Sequence, residues 1–392
     1  MDSALMANYG HPQLEFSHGK GCYLYTAEGD AYLDFTMGIA VNCLGHCHPR
    51  LVAALQAQAE KLWHSSNLFR IPQTEKLARR LVELTFADQV FFSNSGTEAI
   101  EAGFKMMRRY HYSHGNPQRL RIITVTHSFH GRTLAPVAAC RNPVHCEGFL
   151  YGDSGFDQAE YGDIAALRAL ISPETAGIVI EPIQGEGGIR VASTEYLQQI
   201  RTLCDEQGIL LMFDEVQSGM GRSGALYAYQ LLGVEPDLLT SAKGLGGGFP
   251  IGACLATNAV AKPMVAGSHG STFGGNPLAT AVGNAVLDEI SQQGFLQQVK
   301  ASGELLARGL EALIKTFPDL VQAQTGMGLM RGLACKVANT QLIEALLQEK
   351  MLVVKAGGNS IRLLPPLNVS EEEIASALVI LNRVCKKLQP NA

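Results

Sequence analysis

Between residues 90 and 256 the chain alternates short apolar runs with helical patterns, and this alternation restricts the fold more than any other feature. Apolar stretches of strand length occur at Val90–Ser93, Arg121–Thr126, Gly177–Ile180, Ile209–Phe213, Leu238–Ser241 and Ile251–Ala256. Helical periodicity marks Pro72–Thr85, Gly96–His111, Thr194–Gln207 and Pro277–Ile290, with Gly208 placed to stop the third. Strands alternating with helices predict an α/β fold built on a mostly parallel sheet covered on both faces.

Near residue 296 the pattern changes to a long amphipathic helix, then short strands around Leu329–Cys335, Leu352–Lys355 and Ile361–Leu363, then a closing helix. This predicts a second, smaller α/β domain. Near the start, Cys22–Asp34 alternates around Glu28-Gly29 as a hairpin would. The expected division is an N-terminal segment over 1–45, a large domain over 46–285 and a small C-terminal domain over 286–392. A length of 392 residues is in keeping with more than one core.

Composition removes several function classes. The chain is 46% hydrophobic and 17% charged, the balance of a soluble globular protein. A net charge of −5 with no basic stripe argues against nucleic acid as the main partner. Residues 244–261 carry no charge and are long enough to raise a membrane span, but their five glycines and Pro250 predict a loop and a buried strand. No membrane association is expected. Nine unclustered cysteines predict reduced thiols and a cytoplasmic protein. Met1–Pro12 lacks basic and apolar regions, so no signal peptide is expected.

Open α/β sheets bind ligands beyond the carboxyl ends of their strands. The distinctive polar segments lie just there: Asn94–Thr97, His127–Arg132, Glu181–Glu186, Asp214–Gln217 and Ala242–Gly244. Polar loops commonly end strands, so the joint chemistry must carry the argument. Ser95 and Glu98 have the spacing of a capping box, and Gly96 and Thr97 would then present free N–H groups at a helix start, an anion seat. A plain helix cap explains that tetrapeptide alone equally well. Asp214 leaves a strongly apolar run and needs a partner: a cationic ring nitrogen, or an unseen Arg or Lys in a structural ion pair. Lys243 follows a buried strand and precedes four glycines within five residues, where desolvation would favour the neutral, nucleophilic amine. A solvated surface lysine is the ordinary alternative. The glycines fit neither a dinucleotide fingerprint nor a P-loop, because Phe249 stands at the last required position and Lys243 precedes the run. Cys43, His46, Cys47 and His48 are too crowded for a zinc site and predict a structural loop.

Taken together, Gly38–His46, Asn94–Ala99, Phe129–Arg132, Glu181–Glu186, Asp214–Gln217, Lys243, Gly270–Asn276 and Arg362–Pro366 resemble, in order and spacing, the class III (ω-amino acid) pyridoxal-phosphate aminotransferases of fold type I. The resemblance runs over nearly the whole chain. It implies pyridoxal 5'-phosphate held as a Schiff base on Lys243, with Asp214 on the ring nitrogen. The loop Asp214, Glu215, Val216 and Gln217 would contact the ring, Gln217 near its 3′-oxygen, and Phe129 would stack on its face. Gly96 and Thr97 would bind the phosphate, joined by Thr272 of the partner subunit, which implies a homodimer with shared sites. Arg132 would grip a substrate carboxylate and Ser271 would contact an acylamino group. Arg362 would bind the α-carboxylate of glutamate, and Glu186 would cover Arg362 when the other donor is present. The implied reaction moves the terminal amine of N2-acetyl-L-ornithine to 2-oxoglutarate. Ornithine, succinylornithine, succinyl-diaminopimelate and 4-aminobutyrate are alternative donors, and a non-catalytic cofactor-binding protein is the alternative of another class. Two carboxylate clamps argue against the latter.

Overall fold

The computed structural model describes residues 4–10, 14–150 and 152–389, so part of the Met1–Pro12 segment lies outside the described residues. Three short strands open the chain, β1 (His18–Lys20), β2 (Tyr23–Tyr25) and β3 (Ala31–Asp34), paired antiparallel in that order. The expected hairpin is present: Gly29, at φ 90°, donates its N–H to the Thr26 carbonyl between β2 and β3. Met37, Gly38, Ile39 and Ala40 then all take positive φ, from 46° to 64°. Three of them are not glycine, and each costs roughly 1–2 kcal/mol in that region. The buried Asp34 holds this turn, its Oδ1 accepting the N–H groups of Thr36 (2.8 Å) and Met37 (3.1 Å) while Oδ2 meets His46 Nε2 at 2.8 Å. Cys43 donates its thiol to the Gly244 carbonyl instead, so Cys43 and His46 face different partners.

The main sheet contains β4 (Gln89–Ser93), β5 (Arg121–Val125), β6 (Phe156–Ala159) and β7 (Thr175–Ile180). A separate two-stranded ribbon, β8 (Ile183–Gln184) and β9 (Arg190–Val191), follows, and then the sheet resumes with β10 (Leu210–Asp214), β11 (Leu238–Ser241) and β12 (Gly252–Ala256). The order across the sheet is β4-β12-β11-β10-β7-β5-β6. Strands β5, β6, β7, β10 and β11 are parallel, and β12 runs antiparallel to both neighbours, so β4 points with the parallel set.

Both sheet faces are covered, as the continuous apolar runs require. Along β10, Leu210 and Met212 join the core under the helix Gly96–Ser113, while Leu211 and Phe213 join the core on the other face with the helix Thr194–Gln207. Each such fully buried side chain contributes about 1.5–3 kcal/mol. The helices Thr194–Gln207 and Pro277–Ile290 have the expected bounds, and Gly208 closes the first at φ 60°. The uncharged 244–261 segment supplies β12, every residue of which is buried. Among the described residues no helix is long and apolar enough to cross a membrane.

The chain ends in a four-stranded antiparallel sheet of β13 (Val321–Met327), β14 (Met330–Cys335), β16 (Val354–Ala356) and β17 (Ser360–Leu363), ordered β13-β14-β17-β16. Its helices include Phe295–Thr316 and Glu371–Leu388, the latter opened by a capping box of Ser370 and Glu373. Between β14 and β16 lies β15 (Met351–Leu352), which pairs in parallel with β3.

Candidate active site

Because β4, β5, β7, β10 and β11 point the same way, their carboxyl ends deliver the five polar segments to one place. A cavity of about 390 Å³ opens there, within the size range of small-molecule sites. Gly96 and Thr97 line it after β4, Phe129 and Arg132 after β5, Glu181 after β7, Asp214, Val216 and Gln217 at the end of β10, and Lys243 after β11.

At one wall starts the 18-residue helix Gly96–Ser113. The Ser95 hydroxyl accepts the Glu98 N–H at 3.3 Å, but the Glu98 carboxylate turns to the Asn94 N–H (3.0 Å) and the Ser95 hydroxyl (2.8 Å). This departs from a reciprocal capping box, and with the Glu98 N–H taken by Ser95 it is the Gly96 and Thr97 N–H groups that are left for a ligand. Glycine is required at 96 by packing: a Cβ there would lie 2.8 Å from Val216 Cγ1. At Gly131, φ is 127° and a Cβ would lie 2.2 Å from Thr97 Oγ1, so the loop after β5 sits directly on Thr97.

Lys243 bends away from β11 at φ 43°. Burial pushes its amine pKa down to about 8, with Glu186 and Asp214 opposing and Arg362 reinforcing the shift. Asp214 is buried, and its partner is neither Arg nor Lys: Oδ2 accepts from His130 Nδ1 at 2.7 Å. Oδ1 accepts from the Val216 N–H (3.1 Å) and the Thr240 hydroxyl (3.2 Å). Nearby, Glu181 accepts the N–H groups of Phe129 (3.0 Å) and Gly185 (3.2 Å). Burial raises the Glu181 carboxyl to about 7, with His130 opposing and Asp214 adding to the rise.

Two guanidiniums complete the site. That of Arg132 lies 5.5 Å from the Phe129 ring centroid. The second belongs to Arg362 on β17 and is almost wholly buried. Its Nη1 donates to Glu186 Oε1 at 2.7 Å and to Gln217 Oε1 at 3.2 Å, and its Nη2 donates to the Lys355 carbonyl at 3.1 Å. Glu186 sits in the turn between β8 and β9 and stays partly exposed. It also lines another cavity, of about 780 Å³, that shares Phe129 and Arg132 with the first.

Five expected site residues do not line this cavity: Arg362 and Glu186, which join it through Gln217, and Glu215, Ser271 and Thr272. Glu215 turns away from it: the buried carboxylate accepts the Tyr229 N–H (2.8 Å), the Ala228 N–H (2.6 Å) and the Ser218 hydroxyl (2.9 Å), which makes its side chain a structural anchor. Ser271 accepts from Asn94 Nδ2 at 3.0 Å without lining the cavity, and Thr272 is exposed. The sequence reading missed His130 and Glu181. Both lie inside the polar segments, but nothing local shows that His130 meets a carboxylate 84 residues away.

The family described as aminotransferase class-III matches residues 5–385. The acetylornithine aminotransferase of Brucella melitensis is 53% identical over 98% of this chain and 95% of its own length. That of Mesorhizobium japonicum is 54% identical over 96% of this chain and 94% of its own. Among solved structures, the N-acetylornithine aminotransferase of Stenotrophomonas maltophilia superposes with a TM-score of 0.85 at 34% identity, covering 97% of this chain and 98% of that one. The ornithine aminotransferase of Toxoplasma gondii superposes with a TM-score of 0.94 at 30% identity, covering 98% and 93%. The chain belongs to the class-III aminotransferases.

Proposed function

We propose that this enzyme moves the terminal amine of N2-acetyl-L-ornithine to 2-oxoglutarate, giving N-acetylglutamate 5-semialdehyde and glutamate, a step of arginine biosynthesis, with pyridoxal 5'-phosphate as cofactor. The observation that carries the reading is one cavity holding a lowered-pKa lysine, a buried acid and a helix N-terminus, in a chain about half identical to acetylornithine aminotransferases along nearly its full length.

The donor set fits the cofactor. Gly96 and Thr97 would hold the phosphate at the helix start. Asp214 would hold the ring nitrogen, Phe129 would cover the ring, and Gln217 would face its 3′-oxygen. Lys243 would bond the aldehyde carbon. When bound, the cofactor supplies an electron sink for the carbon that carries the amine. Lys243 Nζ, once displaced, takes the proton from that carbon and returns it on the other side of the nitrogen as base and then acid. Arg132 holds the donor carboxylate as a planar fork. Arg362 holds the α-carboxylate of glutamate or 2-oxoglutarate, and Glu186 occupies it otherwise. Each substrate leaves before the next enters, a ping-pong order.

Thr272 is exposed and outside its own cavity, which supports its reaching the phosphate of a second copy, and hence a homodimer. A large unit over 46–285 and a small one over 286–392 would meet at the site, with Arg362 supplied by the small one. The proposed location is the cytoplasm. The fold likeness to an ornithine aminotransferase favours a second reading, ornithine as donor. A half-reaction panel decides between them: the holoenzyme is mixed with each candidate amine, and conversion of the cofactor to its amine form is timed. Acetylornithine should react fastest; faster reaction with free ornithine would overturn the assignment.

A further inference from the structure

The cavity of about 780 Å³ meets the candidate site at Phe129 and Arg132, which line both. A donor with its carboxylate on Arg132 and its terminal amine at Lys243 brings its α-carbon to the boundary between the two. Whatever the α-nitrogen carries must then enter one or the other. The smaller cavity, about 390 Å³, already has to hold the cofactor and the donor's chain. The larger one is left for the acyl group.

His145 stands half-buried in the wall of that larger cavity. The short helix Pro143–Cys146 carries it, opened by Asn142, whose Oδ1 accepts the Val144 N–H at 3.1 Å. The imidazole is edge-on to the Phe129 ring, with centroids 6.2 Å apart at 86°, and no described residue bonds its ring nitrogens. Other polar groups of the wall are engaged or exposed. Gln158 Nε2 donates to the Cys140 carbonyl at 2.9 Å, Glu186 pairs with Arg362, and His127 and Lys355 are exposed. Burial and then the Arg132 cation hold the His145 pKa below its ordinary value, against the pull of Glu186. Near neutral pH the ring is therefore uncharged and carries one N–H. An acyl oxygen can accept that N–H. The ammonium of free ornithine has no lone pair to do so, and the Arg132 cation repels it.

We propose that His145 is a specificity-determining residue for the amine donor: its ring N–H donates to the acyl oxygen of acetylornithine while Arg132 holds the carboxylate. The proposal rests on the acetylornithine reading of the site.

The test times cofactor conversion in half-reactions of the holoenzyme with acetylornithine, ornithine and glutamate. His145→Leu should lower the preference for acetylornithine over ornithine about 10-fold, as loss of one hydrogen bond would, chiefly through a weaker apparent Kd for acetylornithine. The loss should exceed any loss with glutamate, which has no acyl group, by the same factor. His145→Gln, which still offers an N–H, should keep more of the preference than His145→Leu. Each preference is a ratio within one variant, so a reduced yield of folded enzyme cancels. Equal losses with all three amines, an unchanged preference, or Gln and Leu variants that behave alike would overturn the proposal. An unsubstituted enzyme no faster with acetylornithine than with ornithine would instead sink the functional reading.

Discussion

Replacing Glu186 with alanine tests how one pocket accepts two different acids. Of the groups that Arg362 meets, Glu186 carries the negative charge, at 2.7 Å, while Gln217 and the Lys355 carbonyl are neutral. The guanidinium is 1% exposed but the Glu186 side chain is 36% exposed, so solvent screens the pair from one side. Its net worth therefore lies between that of a surface ion pair and that of a buried charged hydrogen bond, about 1.5 kcal/mol, or roughly 10-fold in affinity. An incoming α-carboxylate must displace Glu186 to reach Arg362. Glu186→Ala should thus tighten apparent glutamate binding by about 10-fold and leave the acetylornithine half-reaction unimproved or weaker. Glu186→Gln, which keeps an acceptor without the charge, should fall between. Single-turnover absorbance traces with each donor measure both constants separately. Equal changes in the two half-reactions would refute the idea that Glu186 gates Arg362.

Lys243→Ala should abolish turnover and the borohydride-fixable cofactor label; a label surviving in that variant removes the lysine from its role. Arg132→Lys should raise KM for acetylornithine about 10-fold despite keeping the charge, because a point charge replaces a fork; an unchanged KM would take Arg132 out of the pocket. Gly131→Ala should cost about 1–3 kcal/mol and weaken phosphate binding, since its Cβ would lie 2.2 Å from Thr97 Oγ1; unchanged thermal stability and cofactor affinity would contradict that packing. The lowered pKa of Lys243, about 8, gives a pH dependence of definite sign. Below it the amine is protonated and cannot attack, so covalent uptake of pyridoxal phosphate by cofactor-free protein should climb with pH and level off above about 8. A profile still rising near the ordinary lysine value of 10.5 would show an unperturbed amine.

How much of the fold is legible in the sequence depends on range. Local signals read well: Gly208 ends the helix Thr194–Gln207, and apolar runs mark β7, β10 and β11. Other strands carry no such mark, β6 and β13 among them. β6 is a four-residue edge strand, Phe-Asp-Gln-Ala, whose middle residues are polar. β13 is largely exposed and rich in Gln, Thr and Gly. The antiparallel course of β12 is also hidden, because side-chain periodicity carries no strand direction. At the site, the loops and Lys243 are readable because each lies just after an apolar run. The pairing of Asp214 with His130, and the turning of Glu215 to Ala228 and Tyr229, arise only from tertiary packing.

The parallel pairing of β3 with β15 has a consequence for how the molecule is made. Leu33 donates its N–H to Lys350 and Phe35 to Leu352, while Leu364 and Leu367 return bonds to Phe35 and Cys43. A ribosome emits Leu33 more than three hundred residues before these partners exist, an interval of roughly 15–60 s at ordinary elongation rates. Throughout it, Leu33, Phe35 and Met37, all buried at the end, lack the part of their covering that the C-terminal residues supply. Closure of this seam is therefore a late event, possible only once the last tenth or so of the chain has emerged.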